Sequence, residues 1–402
     1  MSAAPYAKLS EVAFLNPPLG GRLPDDDLVS FVPMASLSAE TAKIETTQDR
    51  HYSEVSKGFT PFLSGDVLVA KITPCFENGK IAQALLPRRN GFGSTEFHVV
   101  RARLDVSDAR YLHHYLRLDA VRVEGQRRMT GSGGQRRVPA NFLSGLRVPL
   151  PPLEEQRRIA TILDQAETLR TQRRQALAHL DTLTQSLFLD MFGDPVTNDR
   201  GWLRSTLGGV AAAKPNNGVF RKNPEYVQAG LDGLPVVWVE ELFRGDLIDT
   251  QSSRRLVPTA KELENYGLRF GDLLFCRSSL KLDGIAYNNV YLGESNEALF
   301  ECHLIRVSPD LDRVSPIYMN HLLRLPMMRA AIKTRAKTST MTTIDQQGLC
   351  AVSIVVPPLA LQQTFATRIQ AIEALKATHR TALAQLDALF ASLQQRAFAG
   401  AL

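Results

Sequence analysis

The sequence is poor in cysteine. Its 402 residues include four, Cys75, Cys276, Cys302 and Cys350, which lie far apart and form no Cys-x-x-Cys pair. This spacing argues against a disulfide framework and a zinc site and favours a reducing compartment, so we expect the cytoplasm. No apolar run approaches the roughly 20 residues that a membrane span needs. The N-terminal stretch also lacks the basic start and apolar centre of a signal peptide.

Acidic residues are scarce in two tracts that are rich in basic ones. Residues 117–137 contain six arginines against two acids, and residues 323–343 contain five lysines or arginines and no acid. These two tracts together carry more positive charge than the +6 of the whole chain, so the remainder is slightly acidic. Such local positive charge predicts a polyanionic partner.

The two basic tracts occupy equivalent places in an internal repeat with an offset of 206 residues. Residues 151–192 align without a gap on residues 357–398, and 18 of the 42 positions are identical. The same offset aligns Gly-Asp-Val-Leu (65–68) with Gly-Asp-Leu-Leu (271–274). We therefore predict a tandem duplication. Its expected parts are a first globular domain (1–150), a first helix (151–193), a second globular domain (194–356) and a second helix (357–402).

Each globular part is predicted to have an α+β fold. Short strand-like runs such as DVLVAKI and CHLIRV are set off by Gly, Pro and Asn turns, and helical segments precede the basic tracts. Strands and helices do not alternate regularly, which favours a mainly antiparallel or mixed sheet in each of the two α/β domains.

The long helices show an apolar period of 3.5 residues, which is typical of a coiled coil. Since each globular part ends in such a helix, we expect the two helices to pair antiparallel, with one globular part at each end of a rod. Arg173 and His379 would lie at the midpoint of the seam. The predicted seam residues are Ile159, Ile162, Leu169, Arg173, Leu180, Leu187, Phe365, Ile372, Leu375, His379, Leu386 and Leu393.

In these features the chain resembles the specificity subunit of type I restriction–modification systems over essentially its whole length. The similarity rests on an ordered set of motifs: SFVPMASL, GDVLVAKITPCFENGKIA, GSTEFHVV, VPLPPLEEQRRIATILD, MFGDP, GDLLF and VVPPL. The resemblance implies two target-recognition domains, each reading one half of a bipartite sequence of double-stranded DNA. It also implies that the helices bind two modification subunits, which carry S-adenosylmethionine and the methyl-transfer site. A restriction subunit would complete the nuclease.

The candidate DNA-contacting residues come from the basic tracts and from the ends of the Gly-Asp strands. Lysines and arginines would neutralise phosphates, and some would reach guanine in the major groove, whereas glutamines suit adenine. The competing interpretation is a solvated surface loop with no ligand. The candidates are Lys71, Arg127, Arg128, Gln135, Arg136, Arg137, Arg277, Lys333, Arg335, Lys337 and Gln346.

A catalytic alternative is a stand-alone adenine-N6 DNA methyltransferase. The motif Asn16-Pro17-Pro18 is similar to the catalytic signature of such enzymes, but Leu19 stands where an aromatic ring should stack on the flipped base. The only Gly-rich candidate for a cofactor turn (130–134) lies between polar, Arg-rich stretches rather than between a strand and a helix. We therefore predict a non-catalytic subunit with no cofactor of its own.

Two pairs of adjacent residues could suggest a metal site. They are His113-His114 and Cys302-His303, and neither has a third ligand at a useful sequence spacing. We therefore predict no metal.

Overall fold

The computed structural model describes residues 5–132, 134–338 and 341–402. The chain divides into two compact units. The first comprises Met1–Gln175 with Arg380–Leu402, and the second comprises Ala176–His379. Each unit therefore combines one globular domain with about half of each long helix. Among the described residues, no helix is long and apolar enough to cross a membrane.

In its described residues, the first globular domain contains ten strands and five short α-helices. The strands are β1 (Tyr6–Lys8), β2 (Ala13–Leu15), β3 (Leu28–Val32), β4 (Gln48–His51), β5 (Thr60–Leu63), β6 (Val67–Ala70), β7 (Ile81–Gln83), β8 (Asn90–Gly93), β9 (Phe97–Ala102) and β10 (Arg147–Pro149). The helices are α1 (Leu9–Val12), α2 (Tyr52–Val55), α3 (Ala109–Leu116), α4 (Asp119–Arg127) and α5 (Ala140–Gly145). The first long helix, α6, spans Leu153–Phe192.

The second globular domain follows the same plan with shorter strands. Its described strands are β11 (Leu203–Thr206), β12 (Asn216–Asn217), β13 (Leu234–Val237), β14 (Arg255–Leu256), β15 (Leu273–Cys276), β16 (Ser278–Ser279), β17 (Asn288–Val290), β18 (Leu299–Phe300), β19 (Leu304–Val307), β20 (Lys337–Thr338), β21 (Thr342–Thr343) and β22 (Ser353–Val356). Its helices are α7 (Ala260–Tyr266), α8 (Pro316–Arg324), α9 (Pro326–Lys333) and α10 (Gln346–Cys350), and the second long helix, α11, spans Leu359–Phe398.

The sheets of the two domains have equivalent strand orders. The antiparallel sheet β2-β9-β6-β7 of the first domain corresponds to β12-β19-β15-β17 of the second. A further sheet contains one parallel pair in each domain, β3 with β8 and β13 with β18. The predicted mixed α+β architecture is thus confirmed.

The repeated Gly-Asp motif builds the same turn in both domains. Gly65 and Gly271 adopt φ angles of 102° and 89°, which glycine tolerates better than residues with a side chain. The following Asp66 and Asp272 each accept a hydrogen bond of 2.8 Å from the backbone N–H three residues earlier. Asp66 also forms an ion pair of 2.8 Å with Arg101 on β9. The motif therefore starts the central strands β6 and β15.

A buried glutamine joins the first turn of each long helix to its globular domain. Gln156 and Gln362 are fully buried. The side chain of each accepts a hydrogen bond from a backbone N–H of its domain, Asp108 at 3.0 Å and Ser315 at 2.8 Å. Each also donates to the carbonyl of the proline five residues earlier, at 2.9 and 2.8 Å. Tyr111 and Tyr318 donate their hydroxyls to the strand that precedes each helix, both at 2.9 Å. These bonds orient each helix on its domain.

The long helices pack antiparallel in each unit, as predicted. In the first unit Arg158 contacts the backbone of Leu402 at 2.9 Å, whereas the later Arg170 contacts the earlier Asp387 at 2.6 Å. In the second unit Lys376 forms an ion pair of 2.7 Å with Asp181. The pairs 170–387 and 181–376 are related by the repeat offset, so the same contact occurs once in each unit.

The seam residues differ in burial. Ile159, Phe365 and Ile372 are buried. Leu169 and Leu375, which the 3.5-residue period places on the seam, are 50% and 53% exposed. An α-helix has 3.6 residues per turn, so a straight helix drifts away from a strict 3.5 repeat. The remaining predicted seam residues are half-buried: Ile162, Arg173, Leu180, Leu187, His379, Leu386 and Leu393.

Candidate nucleic-acid interface

The first basic tract ends in a hairpin, which we define as residues 130–137 and call the first basic hairpin; Gly133, within it, lies outside the described residues. Thr130 pairs with Arg137, and Arg137 pairs on its other side with Ile72. The N–H of Val138 donates to the carbonyl of Lys71 at 2.8 Å. The hairpin is therefore fixed beside the end of β6, and Lys71 lies at its base.

The second basic tract forms a hairpin at the equivalent place. We define residues 337–343 as the second basic hairpin, of which residues 339–340 lie outside the described part. Strand β20 pairs with β21, and Ser278 of β16 pairs with Thr343 of β21. The N–H of Ile344 donates to the carbonyl of Arg277 at 3.0 Å. Lys71 and Arg277, which the repeat aligned, thus occupy the same position next to a basic hairpin.

Ion pairs restrain the two arginines of the first basic hairpin. Arg137 forms hydrogen bonds of 2.8–3.1 Å with the carboxylate of Glu96, and these raise the pKa of the guanidinium. Arg136 lies 3.8 Å from Glu77. The side chain of Gln135 is exposed between Gly134 and these arginines. Because Glu96 already binds Arg137, this arginine is less available for a phosphate than its position in the sequence suggests.

Two further arginines lie at the end of α4, just before the first basic hairpin. Arg127 and Arg128 share the carboxylate of Glu124, at 3.8 and 2.9 Å, and their side chains are 74% and 66% exposed. One carboxylate between two guanidiniums leaves a net positive charge at the surface. These residues are therefore the most accessible cations of the first tract that the sequence singled out.

The candidate cations of the second domain divide into two groups. Lys333 contacts Asp283 at 2.5 Å, and Lys337 contacts Asp345 at 3.3 Å. Arg277 and Arg335 are exposed. Neither makes an ion pair with any residue that the structure describes. Among the candidate residues of this domain, the two cations without an ion pair in the described part of the chain thus lie beside and just before the second basic hairpin.

Gln346 lies in a shallow pocket next to Arg277. Its Nε2 donates to Oδ1 of Asn217 at 2.6 Å, and Asp345 borders the same pocket. Hydrogen bonds from the N–H of Gly348 and from Lys337 lower the pKa of Asp345, which therefore stays ionised. Asn217, on β12, was not among the predicted contact residues, because it lies far from both basic tracts in the sequence and no motif marks it. The pocket presents amide and guanidinium groups that are suited to base edges.

The Asn-Pro-Pro motif has a structural explanation. Asn16 follows β2 with a positive φ of 51°. Its side-chain Oδ1 accepts a hydrogen bond of 2.9 Å from the N–H of Val99, and its amide lies 3.2 Å from Nδ1 of His98. Leu19 packs in a small apolar cluster of the first domain. The amide of Asn16 thus continues the contacts of β2 with β9.

The two pairs of potential metal ligands, His113-His114 and Cys302-His303, differ in their surroundings. His113 and His114 are buried, and His114 lies 2.8 Å from Asp164 on α6. At Cys302-His303 the adjacent Glu301 adds a third potential ligand, which the sequence analysis did not consider, and the ligand atoms of the three residues lie within 4.8 Å of one another. Nδ1 of His303 lies 2.7 Å from Oε2 of Glu301, and this hydrogen-bonding contact accounts for the geometry.

Comparison with known proteins places these features in a family context. The family described as "Type I restriction modification DNA specificity domain" matches residues 31–179. The type I restriction enzyme EcoAI specificity subunit of Escherichia coli is 36% identical over 182 residues, which cover 45% of this chain and 31% of the relative. The StySPI specificity subunit of Salmonella potsdam is 30% identical over 344 residues, which cover 81% of this chain and 72% of the relative. The match to the EcoAI subunit thus spans about a third of that protein's length.

Solved structures share the fold. A chain from a study of complex assembly and conformational transition of the type I R-M system is 21% identical, with a TM-score of 0.55 and coverage of 100% of this chain and 99% of that one. The S subunit of a type I restriction-modification system from M. genitalium is 12% identical, with a TM-score of 0.59 and coverage of 98% and 95%. Both likenesses concern the fold alone.

Proposed function

Because the chain belongs to the family of type I restriction enzyme specificity subunits, we propose that it is the DNA-recognition subunit of a type I restriction–modification complex. Each globular domain reads one half of a bipartite target in double-stranded DNA. The observation that supports this role most strongly is the duplicated placement of a basic hairpin beside the end of an equivalent strand, β6 and β15. A surface loop without a ligand would not require the same placement in both domains.

The proposed contacts separate phosphate binding from base reading. Arg127, Arg128 and Arg335 are exposed and suited to phosphates. Arg277 and Gln346 border one pocket and are suited to base edges, with Asn217 orienting the amide of Gln346. The other predicted contact residues remain candidates. Lys71, Arg136, Arg137, Lys333 and Lys337 would contact phosphates or guanine, and Gln135 would contact adenine.

The proposed partners are two modification subunits, bound by the long helices, together with a restriction subunit in the complete nuclease. The repeat supports two copies, because α6 and α11 present related sequences. In this arrangement the chain itself is non-catalytic and acts in the cytoplasm. The amide of Asn16, engaged by the backbone of β9, supports a structural role for the Asn-Pro-Pro motif rather than a methyl-transfer role.

Methylome sequencing of cells with and without this gene tests the proposal. We expect one bipartite adenine-methylated motif to disappear on deletion and to return when the gene is restored. Restoration with a chain in which Arg277 and Gln346 are both replaced by alanine should fail for that motif, whereas Gln251→Ala, at an exposed glutamine of the second domain outside that pocket, should restore it. An unchanged methylome on deletion would contradict the proposed function. Calorimetry of the purified chain with S-adenosylmethionine should detect no binding, and tight binding would favour the methyltransferase alternative.

A further inference from the structure

Residues 280–282 form an exposed apolar turn beside the second basic hairpin; we call it the leucine turn. Leu280 is 84% exposed and Leu282 is 52% exposed, with the exposed Lys281 between them. Met341, in the adjoining hairpin, is 39% exposed. Neighbouring large apolar side chains in water indicate an interaction surface rather than a random feature of the exterior.

Hydrogen bonds from a buried arginine hold the backbone next to the leucine turn. Arg329 of α9 is buried, and its guanidinium donates to the backbone carbonyls of Asp283, Ile285 and Ala286 at 3.0, 2.5 and 2.6 Å. The N–H of Lys281 also donates to Oγ of Ser279 at 3.2 Å. Three hydrogen bonds to one buried cation fix the backbone that follows the leucines. The exposed side chains are therefore carried by an ordered base.

The charges around the leucine turn indicate what covers it. Arg277, Lys281 and Arg335 make no ion pair with the residues that the structure describes, whereas Lys333 is neutralised by Asp283. An apolar tip that carries Lys281 between its leucines and adjoins a basic hairpin is complementary to a polyanion with an apolar interior. Double-stranded DNA has this character, since phosphates line its outside and stacked bases its inside.

An aromatic surface lies next to the turn. Phe243 stacks on Tyr287 with ring centroids 4.4 Å apart and an interplanar angle of 20°. Phe243 is 48% exposed, and with Leu280 and Met341 it lines an open groove of about 710 Å³. An exposed aromatic face can stack on an unstacked base.

The described residues 74–76 of the first domain, which the repeat aligns with the leucine turn, do not form an equivalent apolar surface. The repeat offset places Pro74 opposite Leu280, and Phe76 opposite Leu282. Phe76 is fully buried in the core of the first domain. The two domains, although duplicated, therefore differ at this position.

We propose that Leu280 and Leu282 form a wedge that enters the base stack of the half-site bound by the second domain, with Phe243 receiving the unstacked base. This inference rests on the proposed function, and it adds DNA distortion to recognition in one domain only. Inserted apolar side chains kink a duplex and widen the contact surface.

The test uses the full chain and duplexes carrying the methylated motif, with 2-aminopurine placed at successive steps of each half-site. Fluorescence of this base rises when it is unstacked. We expect wild type to raise the signal severalfold at one step of the second half-site only. The double variant Leu280→Ser with Leu282→Ser should lose that rise and bind roughly tenfold more weakly, because the lost burial of two leucines is partly offset by the base unstacking that the variant no longer makes. Leu231→Ser, at a leucine that is 59% exposed elsewhere in the domain, should behave as wild type.

A second duplex with a mismatch at the same step separates distortion from simple contact. A step that is already unstacked costs less to open, so wild type and the double variant should differ less on it than on the matched duplex. An unchanged fluorescence rise in the double variant would overturn the wedge. The wedge would also be overturned if the double variant kept the fluorescence rise but no longer bound the modification subunits, because the turn would then be a protein contact. Failure of wild type to bind any motif duplex would instead refute the proposed function.

Discussion

The exposed arginine pair at the end of α4 allows a quantitative test of DNA binding by the first domain. Replacing Arg127 and Arg128 by alanine removes two side chains that are 74% and 66% exposed and share only Glu124. Each phosphate contact contributes about 0.9 to the slope of log affinity against log salt, so the double variant should lose about 1.8 from that slope. Between 50 and 200 mM salt, wild type should therefore lose about 12-fold more affinity than the variant.

Fluorescence anisotropy of a labelled motif duplex, titrated with the full chain at four or five salt concentrations, measures this slope. Arg157→Ala is the matched control, because Arg157 is also half exposed and also pairs with a nearby glutamate, Glu154, at 2.9 Å. Its slope should equal that of wild type. Glu124→Gln should raise affinity at low salt, since it releases both guanidiniums from their shared carboxylate. An unchanged slope in the double arginine variant would show that the end of α4 faces away from DNA.

Four further outcomes are expected. Burial lowers the pKa of His321 to about 4, so the stability it contributes is present above pH 6.5 and falls by about 3 kcal/mol as pH drops through 4. Unfolding followed by the fluorescence of the two tryptophans, both in the second unit, should show this loss, and His321→Gln should flatten the pH dependence. Gln362→Leu removes the side-chain partner of two buried backbone groups, the N–H of Ser315 and the carbonyl of Pro357, at roughly 1–3 kcal/mol each. Urea unfolding should therefore shift to lower concentration, whereas exposed Gln363→Leu should not shift it. Lys376→Met removes a cation that is 3% exposed and contacts three carboxylates, and should lower the free energy of unfolding by roughly 3 kcal/mol in the same assay. An unfolding free energy equal to that of Gln363→Leu would contradict this prediction. Exchange of residues 1–150 for those of another family member should alter one half of the methylated motif, and a change in both halves would contradict independent reading.

Much of the fold was accessible from the sequence because it depends on local and periodic signals. The helix predicted at 151–193 is observed at Leu153–Phe192, and the one predicted at 357–402 is observed at Leu359–Phe398. Proline at each start and the 3-4 apolar spacing are short-range features that tertiary contacts seldom override. The same signals could not resolve which apolar residues face the core. Leu169 is half exposed, whereas Leu163, one turn and a half earlier, is fully buried.

Sequence alone determined the duplication, the two long helices and the location of positive charge, because each follows from spacing along one chain. The antiparallel orientation of the helices was an expectation that only the contacts of the folded chain decided. Only the tertiary structure decided which of those charges are available. Arg128 and Glu124 are four residues apart, and a helix makes such a pair foreseeable. Arg137 is instead neutralised by Glu96, 41 residues away, and Lys333 by Asp283, 50 residues away. Folding brings these partners together, and no local pattern in the sequence predicts such long-range pairs.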